Sequence, residues 1–297
     1  MLAAGSPQAA QRPQADSSIF RAGIDVVSLN VSVKDHGNKS IADLVPDDFL
    51  VFEDNVPQAV VSVSRQRVPL GLALLLDTSA SMENNLPLAK AAASEFVERM
   101  APVDRASIID FDSRVQVVQA FTSDIPALRS AIAHTSAGGS TSLFNAIYIA
   151  LKDLEKARAS TPEEIRRQAI VVLSDGDDTS SLITFEDVLD LAKRSHTSIY
   201  AIGIREKLPA GLQRPSDGDF VLRRLAQETG GLAYFPIGAD DLPRIYREIA
   251  DELTSQYLVA YAPANVVRDG RWRRLAVRVN RPNCSARTKA GYYAPNR

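Results

Sequence analysis

The chain has 297 residues, 45% of them hydrophobic, with 34 basic and 36 acidic side chains and a formal charge of −2. That length and composition can bury one sizeable core and a second smaller one, and the near balance of charge supplies no field for nucleic acid or an anionic membrane. The single cysteine, Cys284, excludes an intramolecular disulfide and a thiolate zinc cluster, and no run approaches the ~18 apolar residues of a bilayer span.

Residues 1–18, rich in Ala, Gln, Pro and Ser, are expected to form a disordered tail or the remnant of a processed leader. Residues 19–66 read as a β segment: IDVVSLNVSVKD alternates apolar and polar positions, and FLVFEDN and AVVSVSR repeat the habit. From 67 to 256 the rhythm becomes that of an α/β domain. GLALLLD, ASIIDFD, RVQVVQAF, AIVVLSD, SIYAIGI and LAYFP are strands. LPLAKAAASEFVERM, a stretch from about Ile125, SLFNAIYIALKDLEKA, FEDVLDLAKRSH, FVLRRLAQETG ended by Gly230, and DLPRIYREIADELTSQ are helices. Residues 257–297 return to β, with YLVAYAP, WRRLAVRVN and TKAGYYA separated by the turns VVRDGR and RPNCS. Termini usually lie close together, so the two β segments are expected to pair into a small accessory sandwich that neither makes alone.

Two carboxylates stand where buried strands end: Asp77 after GLALLL and Asp175 after AIVVLS. That edge is where open α/β sheets bind ligands. In DTSAS, alternate residues of an extended loop point the same way, so Asp77, Ser79 and Ser81 face one point. Gly138 and Gly139 permit the close backbone approach that brings Thr141 to the same rim. Five oxygen donors with no His or Cys among them suit Mg²⁺, Mn²⁺ or Ca²⁺ over zinc, with room left for one ligand from outside.

DTSAS, Thr141 and Asp175 resemble the DxSxS, Thr and Asp elements of the metal-ion-dependent adhesion site of von Willebrand factor type A domains. The similarity covers residues about 67 to 256 and includes GGSTSLFNAI, VVLSDGDDT and IYAIGI. The flanks DFLVFEDNVPQ and TKAGYYAP are similar to bacterial proteins related to that family, many of them exported. The resemblance implies a doubly wound, Rossmann-like, mostly parallel six-stranded sheet with one antiparallel edge strand. It implies a cation held through Ser79, Ser81 and Thr141, with Asp77 and Asp175 coordinating directly or through water. It further implies a partner protein whose Asp or Glu carboxylate completes the coordination sphere, without turnover, in a periplasmic or extracellular setting; cytoplasmic residence is the alternative.

Other residues carry plainer expectations. Asp110 and Asp112 of IIDFDS belong to a strand end and hairpin, Asp177 and Asp178 to the turn after Asp175, and His36, His134 and His196 to a turn and two helix ends. Trp272, Tyr292 and Tyr293 are sandwich core or surface aromatics, and Arg271, Arg273 and Arg274 a solvated strand face. The loop from Glu206 to Asp219 carries no transferable signal. Two further functions compete with recognition: a structural scaffold subunit of a larger complex, and a metal-dependent hydrolase or phosphotransferase. The enzyme is disfavoured because the chain has no GxSxG elbow, no GK[ST] phosphate loop and no Asp-x-Asp at 77–79.

Overall fold

A computed structural model describes residues 26–160, 166–175, 177–204 and 216–296. The expected tail at 1–18 and residues 206–215 of the long loop lie outside the described residues. Three strands come first, β1 (Val27–Asp35), β2 (Phe49–Glu53) and β3 (Val56–Ser64). An α/β unit follows: β4 (Leu70–Asp77), α1 (Leu86–Glu98), β5 (Arg105–Phe111), β6 (Val115–Thr122), α2 (Ile125–His134), α3 (Leu143–Ser160), β7 (Arg167–Ser174), α4 (Phe185–Arg194), β8 (Thr197–Gly203), α5 (Asp217–Thr229), β9 (Ala233–Tyr234) and α6 (Leu242–Ser255). β10 (Tyr257–Ala262), β11 (Trp272–Val279), β12 (Cys284–Arg287) and β13 (Gly291–Tyr293) complete the chain.

The α/β sheet has the order β6-β5-β4-β7-β8-β9, parallel throughout except for the edge strand β6. Its inner strands need apolar residues on both faces, because helices cover both. Period-2 geometry divides each run between two cores. Leu72, Leu74 and Leu76 of β4 pack with α1, α2 and α6, while Ala73 and Leu75 pack with α3, α4 and α5. Tyr200 and Ile202 of β8 go to the first core, Ile199 and Ala201 to the second. Full burial of each leucine or isoleucine among them contributes roughly 1.5–3 kcal/mol. This is the doubly wound arrangement that the resemblance implies.

Local chemistry sets the helix ends. Thr184 and Asp187 form a reciprocal capping box at the start of α4, and Ser216 and Asp219 do the same for α5. Gly230 ends α5 in the left-handed region (φ 80°). A side chain there would sit 2.6 Å from the backbone nitrogen of Lys289, so Gly230 also lets the C-terminal segment lie against the helix end. Among the described residues, no helix is long and apolar enough to cross a membrane.

The flanking strands do assemble with one another. They form a single curled antiparallel sheet, β12-β1-β10-β3-β2-β11-β13, around Leu29, Val31, Phe49, Val51, Tyr257 and Tyr261, one sheet closing over its own core in place of the two packed sheets expected. Two further details differ from expectation. RPNCS is not wholly a turn, because Cys284–Arg287 adds a strand to the edge of β1. Arg273 does not belong to a solvated face: it is 4% exposed and paired at 3.2 Å with Glu53, itself 2% exposed. Two tyrosines also serve Glu53, whose Oε2 accepts from Tyr261 at 2.6 Å and from Tyr292 at 2.9 Å. A buried charge is tolerated because its partner and its hydrogen bonds are all present. Arg271 and Arg274 are exposed, as expected of that face.

Candidate metal centre

In the α/β sheet β5 and β6 lie to one side of β4, and β7, β8 and β9 to the other. The strand order therefore reverses between β4 and β7. Asp77 ends β4 and Asp175 follows β7, so both stand at this switch point, on the C-terminal edge of the sheet.

Backbone hydrogen bonds bring three loops together at that edge. The Gly138 N–H donates to Thr78 O at 2.7 Å and the Ala80 N–H to Gly139 O at 3.1 Å, joining the loop before α3 to the DTSAS loop. Gly139 has φ 74°, and a side chain on it would meet Ser113 Oγ at 3.0 Å. On the other side, the Thr179 and Ser180 N–H groups donate to Thr141 O at 2.9 and 3.0 Å, tying the loop after β7 to Thr141. Ser142 and Ser180 add a hydroxyl contact at 2.8 Å, and the Asn145 N–H donates to Ser181 Oγ at 3.0 Å. The segments carrying Asp77, Thr141 and Asp175 are thus held by one network.

Asp77 is 1% exposed. Its Oδ1 accepts from the Ser79 N–H at 2.9 Å and its Oδ2 from Ser174 Oγ at 2.5 Å. Burial pushes its carboxyl up to about 6 against these stabilising bonds, and the charge of nearby Asp175 adds to the effect. The hydroxyls of Ser79 and Ser81 lie 3.0 Å apart. Thr141 is 4% exposed, and its N–H and carbonyl are both engaged with Thr179. Its hydroxyl takes part in none of these bonds. It does not open α3 either, since the Ala146 N–H donates to the carbonyl of Ser142.

Sequence reasoning did not single out Ser174 or Thr78. Ser174 hydrogen-bonds Asp77 from the neighbouring strand, and Thr78 Oγ1 donates to Asp110 Oδ1 at 2.5 Å, so Asp110 anchors the DTSAS loop. The signal for both was position: each is a hydroxyl residue adjacent to a strand-end aspartate. Asp112 accepts from the Arg114 N–H at 2.7 Å, in keeping with a hairpin role. Asp178 accepts from Ser181 Oγ at 2.8 Å and serves its turn, while the Asp177 N–H donates to Asp175 Oδ1 at 3.3 Å. His36 pairs with Asn283 and His134 with the Ser130 carbonyl, and His196 lines a pocket at the far end of β8. Among the described residues no group of three or more His, Cys, Asp or Glu gathers to hold a metal. The oxygen-bearing side chains at the switch point are instead two carboxylates with hydroxyls, residue types that suit a small hard divalent cation.

Residues 72–247 match the von Willebrand factor type A domain. The chain is 26% identical over 166 residues to inter-alpha-trypsin inhibitor heavy chain H1 of Sus scrofa, an overlap of 52% of this chain and 18% of that protein. It is 31% identical over 115 residues to an uncharacterized protein of Synechocystis sp., covering 38% of this chain and 26% of the other. The aligned part is thus well under two thirds of either relative's length. Among solved structures, a von Willebrand factor type A protein from Catenulispora acidiphila superposes with a TM-score of 0.55 at 12% identity, over 93% of this chain and 76% of that one. At that identity the likeness speaks to fold.

Proposed function

The chain belongs to the von Willebrand factor type A family, and on that premise we propose that it is a divalent-cation-dependent protein-recognition module. Domains of this family generally mediate protein–protein interaction, and they commonly bind a divalent metal. Asp77, Ser79, Ser81, Thr141 and Asp175 would hold the ion, Mg²⁺ in the first instance and Mn²⁺ or Ca²⁺ by the same chemistry. When bound, the ion supplies a positive charge that neutral hydroxyls leave largely unquenched, so an Asp or Glu side chain of a partner protein is attracted to it. The reading needs no bond to break and assigns no catalytic residue.

The observation that carries it is the buried Asp77 carboxylate at the switch point, set in a network that brings Thr141 and the Asp175 loop to the same edge. The test is calorimetric titration of Mg²⁺ and Mn²⁺ into chelator-stripped protein. One binding site is expected, removed by Asp77→Ala without loss of secondary structure. Absence of binding heat with the intact, folded chain overturns the proposal.

A further inference from the structure

Remote from the switch point, a pocket of about 420 Å³ opens where the curled sheet meets the α/β unit. Val26 and Val27 at the start of β1, Val266 and Val267 between β10 and β11, and Tyr292 and Tyr293 of β13 form its apolar walls. Among the described residues its charged lining consists of Arg268, Arg273 and Lys289, with no carboxylate. A smaller recess of about 50 Å³ shares Ser28, His196 and Lys289 with it.

These groups are in different electrostatic situations. Arg273 is committed: it pairs with Glu53 and donates to the carbonyls of Asn265 and Val267. Those two bonds fix the Val266–Val267 wall, so the pocket is pre-formed. Lys289 is not committed. Among the described residues it forms no ion pair, and its ammonium lies 5.7 Å from the centroid of the Tyr292 ring. Glu228, the carboxylate that lines the smaller recess, is taken by Arg224 at 2.7 Å and Lys193 at 3.9 Å. Burial, with no opposing charge, pushes the Lys289 amine down to about 8. A desolvated ammonium without a counter-ion is unfavourable, and an incoming anion relieves it.

We infer that this pocket binds a small organic anion with an apolar body, its carboxylate set against Lys289 and its body lying between Val266, Val267 and the two tyrosine rings. The site is independent of the proposed metal centre. The volume falls within the usual range for small-molecule sites of about 300–1,000 Å³. Val266 and Val267, 74% and 58% exposed, are large apolar surfaces at its mouth that such a body would cover.

The test uses the intact chain and the fluorescent anion 8-anilinonaphthalene-1-sulfonate, with octanoate as the competing carboxylate. Saturable binding at one site, displaced by octanoate, is expected. Lys289→Met should weaken the dye by about tenfold or more, the loss of one charge-assisted contact. N-phenyl-1-naphthylamine, which keeps the rings and lacks the sulfonate, should change little. Val267→Glu, at an exposed position the fold does not depend on, places a like charge at the mouth and should also weaken the dye. Absence of a saturable site displaced by octanoate, or undiminished dye affinity in both variants, overturns the inference.

Discussion

At the scale of single residues, a carboxylate as enclosed as Asp77 is held at a disadvantage as an anion until something opposes its charge. Its carboxyl titrates near 6 in the fold and near 3.8 when exposed. In metal-free protein its contribution therefore lowers stability as pH rises from about 4 to about 6, and adds nothing further above that. The penalty at pH 7 is on the order of 3 kcal/mol. Asp77→Asn should recover part of it, seen as a higher midpoint of thermal unfolding in chelator at pH 7; a lower midpoint would contradict the account. Arg273 carries the converse expectation. Arg273→Met leaves Glu53 buried without its counter-charge, and urea unfolding should show a loss of about 3–5 kcal/mol. The positions of Asp77 and Asp175 at the sheet edge were legible because each closes an apolar run that forms a buried strand. The burial of Arg273 was not, since its partner Glu53 is 220 residues away and alternation along β11 is what an exposed face also displays.

At the scale of elements, period and length sufficed for the longer strands and the helices of the α/β unit, because each carries enough residues to register its own pattern, whereas β9 is only two residues long and is defined by its pairing to β8. β12, at four residues, is too short for that, and only its pairing to β1 defines it. The role of the C-terminal aromatics was hidden for a related reason. Trp272 and Tyr293 pack edge to face at 5.0 Å and dock onto α4, with Lys193 over the indole at 4.0 Å and Arg194 over the phenol ring at 3.9 Å. The Tyr293 hydroxyl donates to Asp190 Oδ1 at 2.7 Å. Hydrogen bonds from Arg194 and Tyr293 hold the Asp190 carboxyl below its usual 3.8. Its contribution is present above that pH and is lost as pH falls below it. The chain's one tryptophan reports on this clasp directly. Asp190→Asn should change Trp272 emission without altering far-ultraviolet circular dichroism, and should remove the change that the parent undergoes on acidification. Identical emission in the two proteins would show that Asp190 does not hold the clasp.

At the scale of the whole molecule, Glu252 near the end of α6 joins the α/β unit to the curled sheet. It is 1% exposed, its Oε1 accepts from Tyr200 of β8 at 2.7 Å and from Ser32 of β1 at 3.1 Å, and it is ion-paired with Lys34 at 2.9 Å and with Arg287 of β12. Its removal leaves two cations facing each other in a polar node with no anion. Glu252→Ala is expected to lose about 3–5 kcal/mol, and to replace one calorimetric transition by two as the α/β unit and the sheet cease to unfold together. A single transition in the variant would show that the units are coupled elsewhere.

The pairing of β3 with β10 has a mechanical consequence. Leu258 lies opposite Ser64, so the chain leaves the curled sheet and returns to it on adjacent strands, at the same end of one ladder. Tension applied between the two flanking segments is borne by that ladder, and the α/β unit between them stays slack. Tension that enters through the α/β unit instead pulls both strands from their shared end and opens their bonds one pair at a time, beginning at Ser64 and Leu258.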